Sequence, residues 1–244
     1  IEQQSPGLTW FLGQTDEIVR QPLNPFRYLL RSHFHLSATD SAETNRQRLM
    51  QQVDGLIAAT EDGALAAELD RSRSFLGALV DLHWEGSLYE QLEPQLRFEN
   101  VLEALKALIK AESRRAPLVL HIEDAHLLDA ESRAFLTRLT RNVEGFPFLL
   151  ILTARPEGDF AGSADDPRIA LLDAELPQHT LRLEGLNRAA LAALGRERLD
   201  GALAEPLLEL LLARAEGNPF FAEQILLFLR ERQQLVQHDD VWDL

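Results

Sequence analysis

Two adjacent carboxylates directly follow a hydrophobic run near the middle of the sequence. Glu123 and Asp124 come after Leu118-Val119-Leu120-His121-Ile122, a run typical of a buried strand. Ionised carboxylates at such a strand end are costly unless a cation or hydrogen-bond donors meet them. In nucleoside triphosphatases, carboxylates in this position hold the water shell of Mg²⁺ and orient the attacking water. The alternative is that Glu123 and Asp124 cap the next helix or lie in solvent.

A basic residue follows the next hydrophobic run. Thr153 and Arg155 come after Phe148-Leu149-Leu150-Ile151-Leu152. Ligands of parallel α/β sheets bind at the carboxyl ends of the strands, so we expect Arg155 to lie beside the acidic pair. An arginine there could reach a γ-phosphate through a bidentate contact. The alternative is a surface arginine that leaves a strand.

A third candidate is the segment Gly217-Asn218-Pro219-Phe220-Phe221. Gly217 suits a helix C-terminus and Pro219 suits the start of the next helix, whose two phenylalanines are expected to anchor it in a core. The alternative is an ordinary corner between two helices. Any function would depend on where that corner points.

The strands that must position these residues are short and lack polar alternation. Two buried strands separated by a helix of about a dozen residues predict a parallel sheet covered on both faces, and hence an α/β fold. Leu8–Leu12 is expected to form another strand, and Thr180–Leu183 is a further candidate.

The helices between these strands are predicted from apolar spacing and capping residues. Residues 41–92 are expected to form a helical insertion that Gly55, Gly63, Gly77 and Gly86 break into short pieces. Asp129 is a good N-cap for a helix that we expect Gly145 to close. His126 is expected to pack or cap beside the acidic pair.

The composition shifts near Asn187, from which the chain reads as helical. We therefore predict an α/β core over 1–186, a helical segment over 187–234 and a further short segment over 235–244. Within the last segment, Leu235-Val236 and Val241-Trp242 could pair as a hairpin.

Charge and composition narrow the classes of partner. The chain has 244 residues, a formal net charge of −15 and no cysteine. A surface with this much negative charge repels nucleic acid and anionic lipid. We therefore expect no direct nucleic-acid binding by this segment. No apolar run reaches the roughly 20 residues that span a bilayer, and IEQQSPG lacks the features of a signal peptide. We therefore expect a cytoplasmic protein without a membrane partner.

Taken in order, these motifs resemble the STAND/AAA+ signal-transduction ATPases, which occur in bacterial LuxR-type regulators and beside nucleotide cyclase and kinase domains. LVLHIEDAHLLD resembles their Walker B strand and LLILTARPE their sensor-1 strand. LRLEGLNRAALAAL is similar to the strand that leads into their helical lid, and GNPFFAEQIL to their GxP motif. The ending LVQHDDVWDL resembles the start of the winged-helix segment that usually follows. The resemblance extends from about Arg97 to Leu244.

The resemblance implies a P-loop NTPase-like (ASCE) parallel sheet followed by an all-helical lid, with ATP or ADP and Mg²⁺ as ligands. Glu123 would associate with Mg²⁺ through water and Asp124 would polarise the hydrolytic water, although the two roles are open between them. Arg155 would be the sensor-1 arginine. Pro219 in the GxP turn, with Gly217 and Asn218, would contact the adenine or ribose from the lid.

The sequence departs from the family at one motif. The Walker A loop, Gly-x-x-x-x-Gly-Lys-[Ser/Thr], is absent, and neither Lys106 nor Lys110 follows a glycine. That loop supplies the backbone N–H groups and the lysine that hold the β- and γ-phosphates. We therefore expect the first strand and the P-loop to be encoded before Ile1. A degenerate homologue that has lost ATP binding is the alternative.

The predicted function is a part of an ATP-hydrolysing switch that controls an effector in the same parent chain, through transcription regulation or cyclase or kinase signalling. Further copies of the chain are possible partners. The alternative is a scaffold or oligomerisation module of the same fold that uses no nucleotide.

Overall fold

The computed structural model describes residues 7–16, 21–143, 145–155, 177 and 179–244. The chain divides into two compact units, Ile1–Gln178 and His179–Leu244. Among the helices in these described ranges, none combines the length and the apolar composition needed to cross a bilayer. Each unit is an arrangement of helices around a small sheet.

The first unit contains a three-stranded parallel sheet, which confirms the α/β prediction. Its strands are β1 (Thr9–Gln14), β2 (Leu118–Glu123) and β3 (Phe148–Leu152), in the order β1-β2-β3. Ile122 on β2 pairs with Gly13 on β1 and with Leu152 on β3. The three strands therefore end at the same edge of the sheet.

Most of the described residues of the first unit are helical. Its helices are α1 (Asn24–His33), α2 (Ala42–Ala59), α3 (Gly63–Leu79), α4 (Leu88–Gln91), α5 (Pro94–Arg115) and α6 (Ala130–Leu139), with a 3₁₀ turn over Ala125–Leu127. The prediction that glycines break residues 41–92 into short pieces is wrong for Gly55 and Gly77, which lie inside α2 and α3. A mid-helix glycine costs only about 1 kcal/mol, which packing offsets. Gly77 allows close packing, because a Cβ there would meet the Trp84 ring at 2.6 Å.

The main hydrophobic core lies on one face of the sheet. The strand residues Phe11, Leu120 and Ile122 point into it and are almost fully buried among the helices. On the opposite face the side chain of Leu149 is 56% exposed. On that same face the central-strand residue Val119 is buried, at 7% exposure. Among the described residues the main core packs against one face, and cover on both faces stays a prediction.

Asp129 joins the starts of two helices. Its Oδ1 accepts the backbone N–H of Ser132 at 2.8 Å, which makes Asp129 the N-cap of α6 as predicted. The same oxygen accepts the backbone N–H of Leu23 at 3.2 Å, and Leu23 is the residue that precedes α1. One carboxylate therefore fixes where α1 begins relative to α6.

A buried lysine contacts the carbonyl oxygens at the end of α6. Lys106 is 8% exposed, and its Nζ donates to the carbonyl oxygens of Arg138 at 2.9 Å and Arg141 at 2.8 Å. Burial lowers the pKa of this ammonium group. The helix ends at Leu139, so the prediction that Gly145 closes it is wrong. The ammonium group of Lys106 meets the carbonyls at that end in place of a glycine cap.

The second unit combines three helices with a small sheet. The helices are α7 (Arg188–Leu199), α8 (Glu205–Ala215) and α9 (Pro219–Glu231), and the strands are β4 (Ala202–Leu203), β5 (Val236–His238) and β6 (Val241–Asp243). The antiparallel pairing of β5 with β6 confirms the terminal hairpin. Because β4 pairs with β6, the predicted all-helical segment contains a short strand.

Two further expectations about the second unit are wrong. Thr180–Leu183 forms no strand, and the side chains of Leu181 and Leu183 are 88% and 94% exposed. Phe220 and Phe221 do not anchor α9, because they are 61% and 53% exposed. The residues of α9 that enter the core of this unit are Ala222, Leu226 and Leu229, which share the opposite face of the helix.

Substitution of Asp129 by alanine tests its double role. Asp129→Ala should lower the free energy of unfolding by about 1–2 kcal/mol, because it removes a helix cap and an acceptor for the Leu23 N–H. Asp129→Asn keeps the Oδ1 acceptor and loses only the Oδ2 acceptor of the Ser132 hydroxyl, so its loss of stability should be smaller than that of Asp129→Ala. Urea unfolding followed by circular dichroism measures both, and equal losses in the two variants would contradict the role of Oδ1.

Candidate functional site

The chain segments that follow β2 and β3 remain hydrogen-bonded to each other after the strands end. The backbone N–H of Thr153 donates to the carbonyl oxygen of Ile122 at 3.0 Å, and the carbonyl oxygen of Thr153 accepts the N–H of Ala125 at 2.7 Å. These bonds continue the parallel pairing beyond Leu152. They place the residues after Glu123 and after Leu152 next to one another.

Asp124 has a backbone conformation that L-residues rarely adopt. Its φ is 50° and its ψ is 46°, in the left-handed region that Asp and Asn tolerate better than most non-glycine residues. The hydroxyl of Thr15, just after β1, lies 3.0 Å from the carbonyl oxygens of both Glu123 and Asp124 and can donate to either. The turn that presents the acidic pair is therefore supported by the neighbouring strand end.

The carboxylate of Glu123 receives a donor from β1. Gln14 pairs with Glu123 in the sheet register, and its Nε2 donates to Glu123 Oε2 at 3.2 Å. This donor meets part of the cost of placing a carboxylate at the end of a buried strand. It also holds Glu123 at the edge of the sheet.

Asp124 lies between a histidine and an arginine. Its Oδ1 is 3.9 Å from Nδ1 of His126 and 3.9 Å from Nε of Arg155. The side chains of Asp124 and Arg155 are 48% and 81% exposed. An ion pair this exposed contributes about 0–1 kcal/mol, so Asp124 does not hold Arg155 firmly.

The structure thus brings Asp124 and Arg155 together at neighbouring strand ends, and it places Glu123 beside them in sequence and at the same edge. Neither carboxylate caps α6, since Asp129 does so. His126 packs beside the acidic pair as expected, with a side chain that is 8% exposed. The roles of Glu123, Asp124 and Arg155 toward a nucleotide remain predictions.

Gln14 and Thr15 are site residues that the sequence analysis missed. A signal for them exists, because both polar residues stand at the end of the first strand and so at the same edge as Glu123. Their pairing with the acidic turn depends on the register of β1 against β2, which the sequence alone does not supply.

The corner between α8 and α9 lies in the second unit and has the local geometry predicted for it. Gly217 has a φ of 78° and follows Glu216, the C-cap residue of α8; Asn218 caps α9 by accepting the N–H of Phe220 at 3.0 Å. The carbonyl oxygen of Gly217 accepts the N–H of Leu186 at 2.7 Å, and a Cβ at Gly217 would come within 2.9 Å of Gly185 Cα. A contact of Gly217, Asn218 or Pro219 with nucleotide remains a prediction.

The residues at the carboxyl ends of the strands could hold the Mg²⁺ of Mg·ATP, but they do not supply a phosphate-binding loop. Two carboxylates can hold Mg²⁺ through its water shell, which this cation gives up reluctantly. Among the described residues there is no group of three or more His, Asp or Glu side chains that could hold a metal ion directly. The 244-residue sequence contains no Walker A loop to hold the phosphates.

Comparisons with known proteins leave the family open. No protein-family model matches the sequence, and no solved structure matches it. A curated, uncharacterized protein from Rhizobium meliloti (strain 1021) is 32% identical over 139 residues. The match covers 49% of this chain and spans 14% of that relative's length.

Two substitutions of Asp124 test whether its left-handed backbone conformation costs stability, independently of its charge. Asp124→Gly should leave the free energy of unfolding at or above that of the unmodified chain, because glycine adopts this conformation without strain. Asp124→Ala should be less stable than Asp124→Gly by about 1 kcal/mol. Urea unfolding measures the difference between two variants that both lack the carboxylate, and equal stabilities would count against a strained residue 124.

Proposed function

We propose that this chain is part of an ATP-binding, ATP-hydrolysing switch module that controls an attached effector. The observation that carries the proposal is the meeting of Asp124 and Arg155, with Glu123 adjacent, at the carboxyl ends of the neighbouring parallel strands β2 and β3. This edge is where parallel α/β sheets bind ligands. The ligands proposed are ATP, ADP and Mg²⁺.

The acidic pair is assigned to the metal and to the attacking water. Mg²⁺, when bound with ATP, neutralises charge on the β- and γ-phosphates. Glu123 and Asp124 would hold its water shell, and one of the two would polarise the attacking water. The Gln14 amide fixes the orientation of Glu123 through its hydrogen bond to Oε2. Asp124 Oδ1 is 3.9 Å from both His126 Nδ1 and Arg155 Nε, so Asp124 has more freedom to accept bonds from water.

Arg155 is assigned to the γ-phosphate. Its guanidinium is mostly exposed and its contact with Asp124 is long, so little free energy is lost when it leaves that carboxylate. A phosphate can take two parallel N–H donors from a guanidinium and so competes well for it. Hydrolysis removes this acceptor, which makes the position of Arg155 depend on the nucleotide state.

In the proposed switch, the second unit responds to the nucleotide state. In this proposal the corner at Gly217, Asn218 and Pro219 contacts the adenine or ribose, and exchange between nucleotide states opens or closes an interaction surface. The effector is a domain elsewhere in the same longer chain, which acts in transcription regulation or in cyclase or kinase signalling. Further copies of the chain are a second class of partner.

The phosphate-binding loop has to come from outside these 244 residues. The sequence contains no Gly-x-x-x-x-Gly-Lys-[Ser/Thr], and both lysines lie on α5. Within the described sheet β3 is a terminal strand that pairs with β2 alone. The backbone groups along its other side could therefore pair with a further strand. A preceding strand and loop that pair there would set a phosphate cradle beside Arg155.

The absence of a Walker A loop also favours a second candidate, a scaffold or oligomerisation module of this fold that uses no nucleotide. The coding sequence upstream of Ile1 separates the two. A glycine-rich loop that ends in Lys-Ser or Lys-Thr supports the ATPase. Its absence, in a longer protein that still contains this chain, supports the scaffold.

Substitutions at the sheet edge test the proposal in the natural protein that contains this chain. Glu123→Gln and Asp124→Gly should each lower the rate of Mg·ATP hydrolysis by about 10²-fold or more, because each removes a group that acts on the metal or the water. Glu61→Gln, at an exposed carboxylate between α2 and α3, is the matched control and should leave the rate unchanged. Unchanged hydrolysis in both site variants would refute the assignment.

The 244-residue chain on its own should bind ATP only weakly. Without the backbone N–H cradle and the lysine of a P-loop, the triphosphate loses most of its donors. Isothermal titration calorimetry with Mg·ATP should therefore detect no binding in the micromolar range. Micromolar affinity in this chain would mean that its own residues hold the phosphates.

A further inference from the structure

We infer that His126 is a positioning residue that sets the location of Arg155 relative to Asp124. Its imidazole takes the place that a backbone carbonyl would have in the continued pairing of β2 with β3. The hydrogen-bonding part of this inference stands on contacts alone. Its consequence for hydrolysis rests on the proposed function.

Three successive hydrogen bonds connect the two chain segments beyond the strands. In the first two, Thr153 donates its N–H to Ile122 and accepts the N–H of Ala125 through its carbonyl oxygen. In the third, the backbone N–H of Arg155 donates to Nδ1 of His126 at 3.4 Å. The acceptor changes from backbone to side chain at this step, because the chain after Asp124 turns into the 3₁₀ segment and leaves the direction of the strand.

The imidazole is held firmly enough to act as an acceptor at a fixed place. The side chain of His126 is 8% exposed. The turn that carries it is tied to α6 by Arg133, whose guanidinium donates to the carbonyl oxygens of Leu128 at 3.1 Å and His126 at 3.5 Å. Both the ring and its backbone are therefore restrained.

No other contact described at the site holds Arg155 as firmly in position. Its guanidinium is 3.9 Å from Asp124 and its side chain is 81% exposed, so that ion pair restrains it weakly. Burial instead restrains the ring that accepts its backbone N–H. A displacement of about 1 Å at a reacting group can lower a rate by about 10²-fold, which makes the backbone anchor relevant to hydrolysis.

The contact also defines which substitutions should preserve it. Because Nδ1 accepts a hydrogen bond, the neutral ring carries its proton on Nε2. An asparagine at this position can place its Oδ1 close to the site of Nδ1, whereas a glutamine reaches toward the site of Nε2. A phenylalanine keeps the ring volume and has no acceptor. His126→Asn, His126→Gln and His126→Phe therefore form a matched series.

Amide hydrogen exchange, followed residue by residue by NMR in the nucleotide-free 244-residue chain, tests the contact directly. The Arg155 amide should exchange about threefold to tenfold faster in His126→Phe and His126→Gln than in the unmodified chain, and His126→Asn should restore slow exchange. The Thr153 amide, bonded to Ile122, reports on the rest of the turn and should not change. Unchanged exchange of Arg155 in His126→Phe, or equal acceleration at Thr153, would overturn the inference.

Hydrolysis in the natural protein tests the consequence separately. His126→Phe should lower kcat while the Kd for Mg·ATP stays constant, and His126→Asn should recover most of the loss. Suppose the Arg155 amide responds as expected while neither His126→Phe nor Glu123→Gln changes hydrolysis. The positioning contact then stands and the ATPase proposal fails. Loss of kcat in Glu123→Gln, but not in His126→Phe, would overturn the catalytic relevance of His126.

Discussion

The candidate site depends on the pairing of β2 with β3 continuing after both strands have ended. Backbone N–H and C=O groups at a buried sheet edge need partners, and Thr153 supplies them to Ile122 and Ala125. Since the chain after β2 has to turn away while these bonds form, Asp124 adopts a left-handed conformation. The carboxylate and Arg155 are then directed to the same place by backbone geometry, and their charges need contribute little.

Features governed by local chemistry could be predicted from the sequence. The buried strand before Glu123, the N-cap at Asp129 and the corner at Asn218 and Pro219 each depend on a few neighbouring residues, and the structure has all of them. Contacts that depend on strand register could not be predicted. Gln14 is separated from Glu123 by 109 positions, and only the alignment of β1 against β2 brings the two side chains together.

Two of the wrong predictions share one cause, which is that tertiary packing overrode a local signal. Gly77 is a helix breaker by propensity, yet it lies inside α3. The Trp84 ring occupies the space that a side chain at position 77 would need. Phe220 and Phe221 are hydrophobic, yet the angular position of Ala222 and Leu226 decides which face of α9 enters the core. Composition indicates how much apolar surface a helix carries, whereas the neighbouring helices decide which part of it is buried.

The scarcity of lysine gives the connection between α6 and β3 an unusual chemical property. Lys106 and Lys110 are the chain's two lysines; the amine of the first is bonded to carbonyls at the end of α6, and that of the second lies 4.7 Å from the centre of the Phe146 ring. Among the side chains, acylating or cross-linking reagents that react with amines can therefore modify only these two lysines, beside that connection. Because the Lys106 amine must first leave its two carbonyl partners, its acylation rate reports how often the end of α6 opens.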